Sequence, residues 1–73
     1  MDSLDVRGLS CPIPVLRTQK ALEKGPTRLR VVGTGNTAKQ NVTRFARSKG
    51  YEVRVESEAD DEWQMVISKR SGS

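Results

Sequence analysis

Hydrophobic and polar residues alternate in four stretches of the chain, and two further stretches have helical spacing. Leu4 and Val6 alternate with charged neighbours until Gly8 breaks the pattern, which predicts a strand over residues 3 to 7. Residues 28 to 32 alternate at first and are rich in β-branched side chains, so they predict a second strand. Each of these strands is followed by a helical pattern.

The first helical pattern begins at Pro12, which suits the first position of a helix because its missing N–H would have no intrahelical partner. Good helix formers continue to Glu23, and Gly25-Pro26 ends the helix. In the second pattern Thr37 is the expected N-cap and Gly50 the stop. Its inner stripe is predicted to comprise Ala38, Asn41, Val42, Phe45 and Ala46.

Two more strands are predicted to form a hairpin around a turn at residues 59 to 61. Their alternating apolar residues are Tyr51, Val53, Val55, Trp63, Met65 and Ile67. The order is therefore βαβαββ, and right-handed crossovers place both helices on one side of a sheet whose first three strands are parallel and whose last is antiparallel. We predict an α+β two-layer sandwich with a four-stranded mixed sheet. Its uncovered face, interpreted as solvated surface, would carry Arg7, Arg30, Val32, Arg54 and Val66.

The chain has 73 residues, which is enough for one small domain, and its formal net charge is +4. We expect this domain over residues 1–70 and a loose tail over residues 71–73. No apolar run is long enough to cross a bilayer, and the start has no apolar signal core. One cysteine cannot form an internal disulfide, so we expect a reducing, cytoplasmic setting and no contact with a membrane.

The single cysteine, Cys11, follows the first strand and comes just before the first helix. The positive end of the helix dipole favours the thiolate over the thiol, which makes the sulfur more reactive. Pro12 and Pro14 each fix their own φ and restrict the residue before them, so the sulfur has a stiff base. They also remove two N–H donors, which makes the amides of Ile13 and Val15 the predicted partners of a bound anion.

The residues that the chain lacks narrow the chemistry of Cys11. The absence of histidine excludes a Cys-His catalytic pair, and the absence of a second cysteine excludes internal disulfide exchange. What remains is a nucleophile that accepts a group and hands it on. A persulfide fits, because it is anionic and its transfer is a thiol exchange that needs no resident base. We predict no metal and no cofactor, and we favour this function over a buried, inert cysteine.

The residues around Cys11 resemble the TusA (SirA-like) family of sulfur carriers. The similarity rests on Asp5-x-x-Gly8-Leu9-x-Cys11-Pro12-x-Pro14-Val15-Leu16 and then Lys20-Ala21-Leu22, and it runs through almost the whole chain. It implies the sheet order 1-2-4-3, with Gly8, Leu9, Pro12 and Pro14 as supporting residues of the motif. It also implies that Cys11 takes a persulfide from a cysteine desulfurase or another donor. The persulfide then passes to an acceptor sulfur-relay protein, as in tRNA thiolation.

The second loop differs from TusA proper. Gly35-Asn36 stands where that group often has Asp-Pro, and Asn41-Val42 replaces an Asp-Ile pair. The chain is more similar here to the N-terminal domain of the YedF proteins associated with selenium metabolism. The residues that carry this similarity are Asn36, Asn41-Val42, Arg44-Phe45-Ala46 and Gly50-Tyr51-Glu52-Val53. The resemblance thus implies a role in tRNA thiolation or in selenium and sulfur metabolism.

A basic stripe on the first helix, Arg17, Lys20 and Lys24, is the candidate docking surface. Such a stripe is typical of a solvated face, but on the helix that bears Cys11 it could guide an acidic partner. Val15, Gln19 and Leu22 are predicted to lie on one face of this helix, and the basic stripe on another.

Two alternatives involve nucleotides or RNA. Gly33-x-Gly35-x-x-Ala38 imitates a dinucleotide-binding fingerprint, but a Rossmann domain needs two such halves, so we interpret the glycines as a tight turn. A small basic sandwich could also bind RNA, in the manner of a translation initiation factor's C-terminal domain. Tyr51 and Trp63 are expected in the core and offer no exposed pair for stacking. We do not expect direct nucleic-acid binding, and an RNA- or protein-binding module without covalent chemistry is the alternative function.

Overall fold

The computed structural model describes residues 2–10 and 13–69. Within these ranges the elements are β1 (Asp2–Val6), α1 (Ile13–Glu23), β2 (Arg28–Thr34), α2 (Asn36–Ser48), β3 (Tyr51–Ala59) and β4 (Glu62–Lys69). The predicted order βαβαββ is confirmed. The predicted tail, residues 71–73, lies outside the described residues. None of the helices in the described part of the chain is long and apolar enough to cross a membrane.

The four strands form one mixed sheet in the order β1-β2-β4-β3. β1 and β2 are parallel, with Val6 opposite Gly33, and β4 runs antiparallel to both β2 and β3. Both helices pack on the same face of this sheet, where they also contact each other. The α+β two-layer sandwich and the order 1-2-4-3 are therefore confirmed.

The core fills the space between the helices and the sheet. It comprises Val6, Leu22, Leu29, Val31, Ala38, Val42, Ala46, Trp63, Met65 and Ile67. The alternate residues of the central strands, Arg30, Val32 and Val66 among them, are only partly buried because they lie on the face without helices. Arg30 is paired there with Glu56 at 3.3 Å.

The buried face of α1 lies beside the face that carries Val15 and Gln19. Pro14, Thr18 and Leu22 are its buried residues, while Val15 and Gln19 are only partly buried. Thr18 can be buried because its hydroxyl donates a hydrogen bond of 2.8 Å to the Pro14 carbonyl and so does not lack a partner. The sequence pattern did not indicate that this polar residue would be buried.

The start of α2 also differs from the prediction. Gly35, not Thr37, is the N-cap, and it has a φ of 90°, a conformation that glycine adopts without steric cost. The Gly35 amide donates a hydrogen bond of 2.9 Å to the Asp61 carbonyl in the β3–β4 turn. This contact with the hairpin lies between β2, which extends to Thr34, and α2, which begins at Asn36 and so earlier than the local sequence indicates. The buried stripe of α2 comprises Ala38, Val42 and Ala46.

Candidate functional site

The cysteine motif follows β1 at the end of the sheet where β1 and β2 both finish, which we call the site end. Val6 is the last residue of β1, and Thr34, the last of β2, is opposite Glu62 at the start of β4. Both helices begin at the site end, because each follows a parallel strand. Cys11 and Pro12 lie outside the described residues, so the predictions about them stay predictions, and the site is built from their neighbours.

Arg7 and Gly8 form the turn that leads into the motif, and Leu9 follows it. Gly8 has a φ of 73°, which favours glycine, and its amide donates a hydrogen bond of 2.9 Å to the hydroxyl of Thr34. Leu9 is partly buried against the core, and its amide lies 3.4 Å from the Val6 carbonyl. The sequence did not indicate a role for Thr34. The glycine-rich segment around it was predicted to be a loop, with no part in the site.

The amide of Ile13, one of the two predicted anion donors, has a partner within the chain. It donates a hydrogen bond of 2.9 Å to the Ser10 carbonyl. An anion would have to share this amide or displace the carbonyl. The Val15 amide stays the second predicted donor. Pro14 is buried, so this residue of the motif also serves the packing of α1.

The outer face of α1 combines apolar and basic side chains. Ile13 and Leu16 are 41% and 51% exposed, although both are large and apolar. Arg17 and Lys20 are exposed beside them, and Lys24 is exposed just after the helix. Residues spaced by three or four positions share one helix face, so these five form one surface, which we call the α1 outer face. It begins within the cysteine motif, because Ile13 is the residue between the two prolines. The sequence indicated its basic part but not the exposure of Ile13 and Leu16.

A charged cluster joins the end of β1 to the start of β4. The Arg7 guanidinium donates hydrogen bonds to both carboxylate oxygens of Asp5, with Nη2 to Oδ2 at 2.9 Å, and lies 3.5 Å from Glu62. The side-chain hydrogen bonds from Arg7, and then its backbone amide, lower the pKa of the Asp5 carboxyl. The Asp5 carboxylate in turn raises the pKa of Arg7. The described residues contain no group of three or more His, Cys, Asp or Glu side chains able to hold a metal ion.

The glycines that imitate a nucleotide fingerprint are explained by Trp63. A Cβ at Gly33 would lie 2.4 Å from Cζ2 of the indole, and the indole N–H donates a hydrogen bond of 2.9 Å to the Gly35 carbonyl. Trp63 is only 3% exposed, and Tyr51 is partly buried against the core. Neither ring is free to stack on a base, in agreement with the expectation that these residues serve the core.

Comparison with known proteins identifies the family of this chain. The family model described as Sulfurtransferase TusA matches residues 2–69. This chain belongs to the TusA family. It is 44% identical over 71 residues to a Methanocaldococcus jannaschii protein named "Putative sulfur carrier protein", with coverage of 94% of this chain and 95% of that protein. It is 32% identical over 69 residues to the sulfur carrier protein TusA of Allochromatium vinosum, with 90% of each chain covered.

A solved structure shares the fold. The crystal structure of the SirA-like protein from Desulfitobacterium hafniense matches with a TM-score of 0.82 and 28% identity, over 93% of this chain and 96% of that one. The TusA (SirA-like) resemblance is therefore confirmed. Membership of this family of sulfur carriers implies, in general terms, a sulfur donor and a sulfur acceptor as partners.

Proposed function

We propose that this TusA-family chain carries sulfur as a persulfide on Cys11 and relays it between two partner proteins. The observation that carries the proposal is the Cys-Pro-x-Pro motif between β1 and α1, in a chain that the TusA family model matches over residues 2–69. The donor would be a cysteine desulfurase or another persulfide-bearing protein, and the acceptor a further sulfur-relay protein, in the cytoplasm.

The transfer is balanced without a cofactor. The Cys11 thiolate attacks the outer sulfur of the donor's persulfide, a new S–S bond forms, and the donor's own sulfur leaves as a thiolate. In the second step the acceptor's thiolate attacks the outer sulfur on Cys11, and the Cys11 thiolate is released. Neither step has net oxidation or reduction. The start of α1, the dipole of which is positive there, favours the anionic sulfur in both steps.

The α1 outer face is the surface on which we propose that these partners dock. Its apolar pair consists of Ile13, inside the motif, and Leu16, just after it. The surface continues with positive charge at Arg17, Lys20 and Lys24. A partner with an apolar socket and an acidic rim would bury the pair and meet the charges. The acceptor then serves tRNA thiolation or selenium and sulfur metabolism, the two roles that the family resemblance implies.

Mass spectrometry tests the covalent step. After incubation with an active cysteine desulfurase and cysteine, the wild-type chain is expected to gain the mass of one sulfur atom, and Cys11→Ser is expected to gain none. The matched control is the double variant Ser10→Cys, Cys11→Ser, which keeps one thiol in the chain but moves it by one residue. An unmodified wild-type chain, or equal gains on the wild type and the double variant, would contradict the proposal.

The alternative is a protein- or RNA-binding module without covalent chemistry. The exposed apolar pair of the α1 outer face suits protein binding whether or not Cys11 carries sulfur. A Cys11→Ser variant that restores function in cells as fully as the wild type would favour this alternative over the relay.

A further inference from the structure

A groove of about 520 Å³ runs between α2 and β3, on the opposite flank of the molecule from β1. Val53 and Val55 form its apolar floor, and Val55 is 39% exposed. The α2 side supplies Lys39, Gln40, Thr43, Arg44 and Arg47. The groove is therefore apolar along the strand and basic along the helix.

The positive charge of the groove is not neutralised within the described residues. Arg44 and Arg47 are exposed, one turn apart on α2, and neither forms an ion pair with a side chain in residues 2–10 or 13–69. Lys39, by contrast, is paired with Glu58, at the end of the groove nearest the site end of the sheet. Two free guanidinium groups thus remain along the open part of the groove.

The strand beside the groove has a free edge. β3 is the last strand of the sheet and pairs only with β4, so the backbone N–H and C=O groups along its other edge have no strand partner. The pairing with β4 is regular from Tyr51 to Val55, and the irregularity between Val55 and Ser57 comes only after this segment. The regular part of the edge lies beside the two valines of the groove floor.

We propose that this groove binds an extended, acidic segment of a partner protein, which adds as a fifth strand along Tyr51–Val55. Main-chain hydrogen bonds to β3 would supply affinity, and side chains on the helix side of the added strand would supply specificity. Acidic side chains there meet Arg44 and Arg47, and apolar ones cover Val53 and Val55. The site does not involve Cys11, so it goes beyond the sulfur relay and stands or falls separately.

The charges favour this occupant over a second copy of the chain. Two copies joined by antiparallel β3 edges would bring the α2 helices together, so that Arg44 and Arg47 of one copy would face the same residues of the other. A nucleic acid is disfavoured by the free edge itself, because its phosphates only accept hydrogen bonds and would leave the C=O groups along β3 without donors.

A labelled peptide tests the proposal. The probe is a fluorescein-labelled peptide of 9 residues, the length of β3. Its odd positions, which share one face of a strand, are glutamate and valine in turn, and its even positions are threonine. The control probes are the same peptide with lysine in place of glutamate and a labelled oligothymidylate. Fluorescence anisotropy is expected to show binding of the acidic peptide only. Amide shifts in NMR spectra should concentrate on Val53, Val55 and their strand.

Charge reversal provides the matched variants. The double variant Arg44→Glu, Arg47→Glu is expected to weaken binding of the acidic peptide by about tenfold, since it replaces attraction by repulsion at two exposed positions. The control Arg28→Glu reverses an exposed charge at the start of β2, outside the groove lining, and should bind as the wild type does. The proposal is overturned if no acidic peptide binds, if the double variant binds equally, or if the oligothymidylate binds more tightly. It is also overturned if sedimentation shows a dimer held through β3.

Discussion

The backbone amide of Gly8 donates a hydrogen bond of 2.9 Å to the hydroxyl of Thr34, which lies 26 positions further along the chain. Gly8 begins the segment that leads to Cys11, and Thr34 ends β2. The turn before Cys11 is thus tied to the neighbouring strand. Its position depends on the parallel register of β1 and β2, in which Val6 is opposite Gly33.

Replacing Thr34 tests this connection. Thr34→Val removes the acceptor but keeps the shape of the side chain, so the Gly8 amide loses its partner and the free energy of unfolding falls by about 1 kcal/mol. In a domain of this size that corresponds to a decrease of roughly 4–8 °C in Tm, measured by circular dichroism. Thr34→Ser keeps the hydroxyl and serves as the control. Equal Tm values for the two variants would show that the hydroxyl does not hold the turn.

The close contact between Gly33 and Trp63 predicts a non-additive pair of substitutions. In Gly33→Ala the new methyl would lie 2.4 Å from the indole ring, and such overpacking lowers the free energy of unfolding by about 1–3 kcal/mol. Trp63→Phe removes the outer ring atoms and also the hydrogen bond to the Gly35 carbonyl. Because phenylalanine leaves room for the methyl, the double variant should lose less stability than the sum of both losses. Urea unfolding measures the cycle, and strictly additive losses would argue against the contact.

The α1 outer face predicts an electrostatic contribution to the rate of sulfur loading. Arg17→Glu is expected to slow persulfide formation with a cysteine desulfurase by several-fold, because a rim charge acts mainly on the association rate. Raising the salt concentration should reduce the difference between variant and wild type. The control is Arg28→Glu. Arg28 is exposed at the start of β2, and hence at the opposite end of the strands from the cysteine motif. Equal slowing by both variants would mean that only net charge matters.

The Asp5–Arg7 pair predicts a loss of stability in acid. The hydrogen bonds from Arg7 lower the pKa of Asp5 in the folded chain, so the unfolded chain binds the proton more readily. The contribution of the pair is fully present above the unfolded pKa of about 4 and is lost as the pH falls through the lower, folded value. Unfolding of Asp5→Asn should therefore differ most from that of the wild type near neutral pH, and the two should converge only once the pH has fallen below the lowered, folded pKa of Asp5. A difference that does not change with pH would exclude this titration.

The order of the elements could be predicted because it depends on local periodicity. Alternating residues such as Met65 and Ile67 are buried as expected, and a parallel βαβ connection leaves only one common handedness. Local periodicity did not predict that Thr18 would be buried or that Gly35 would cap α2. Both depend on hydrogen bonds with the backbone, at Pro14 and at Asp61, which the polarity of a side chain does not indicate.

By itself the sequence determined the βαβαββ order and the candidate chemistry, because one cysteine beside two prolines, with no histidine, leaves few reactions open. Only the tertiary structure decided which residues meet: Thr34 supports the turn before the motif, Trp63 explains the paired glycines, and Arg44 and Arg47 flank a free sheet edge. The physical reason is that these contacts join residues far apart in the chain. They arise from strand register and from the packing of helices on the sheet, and no local pattern contains either.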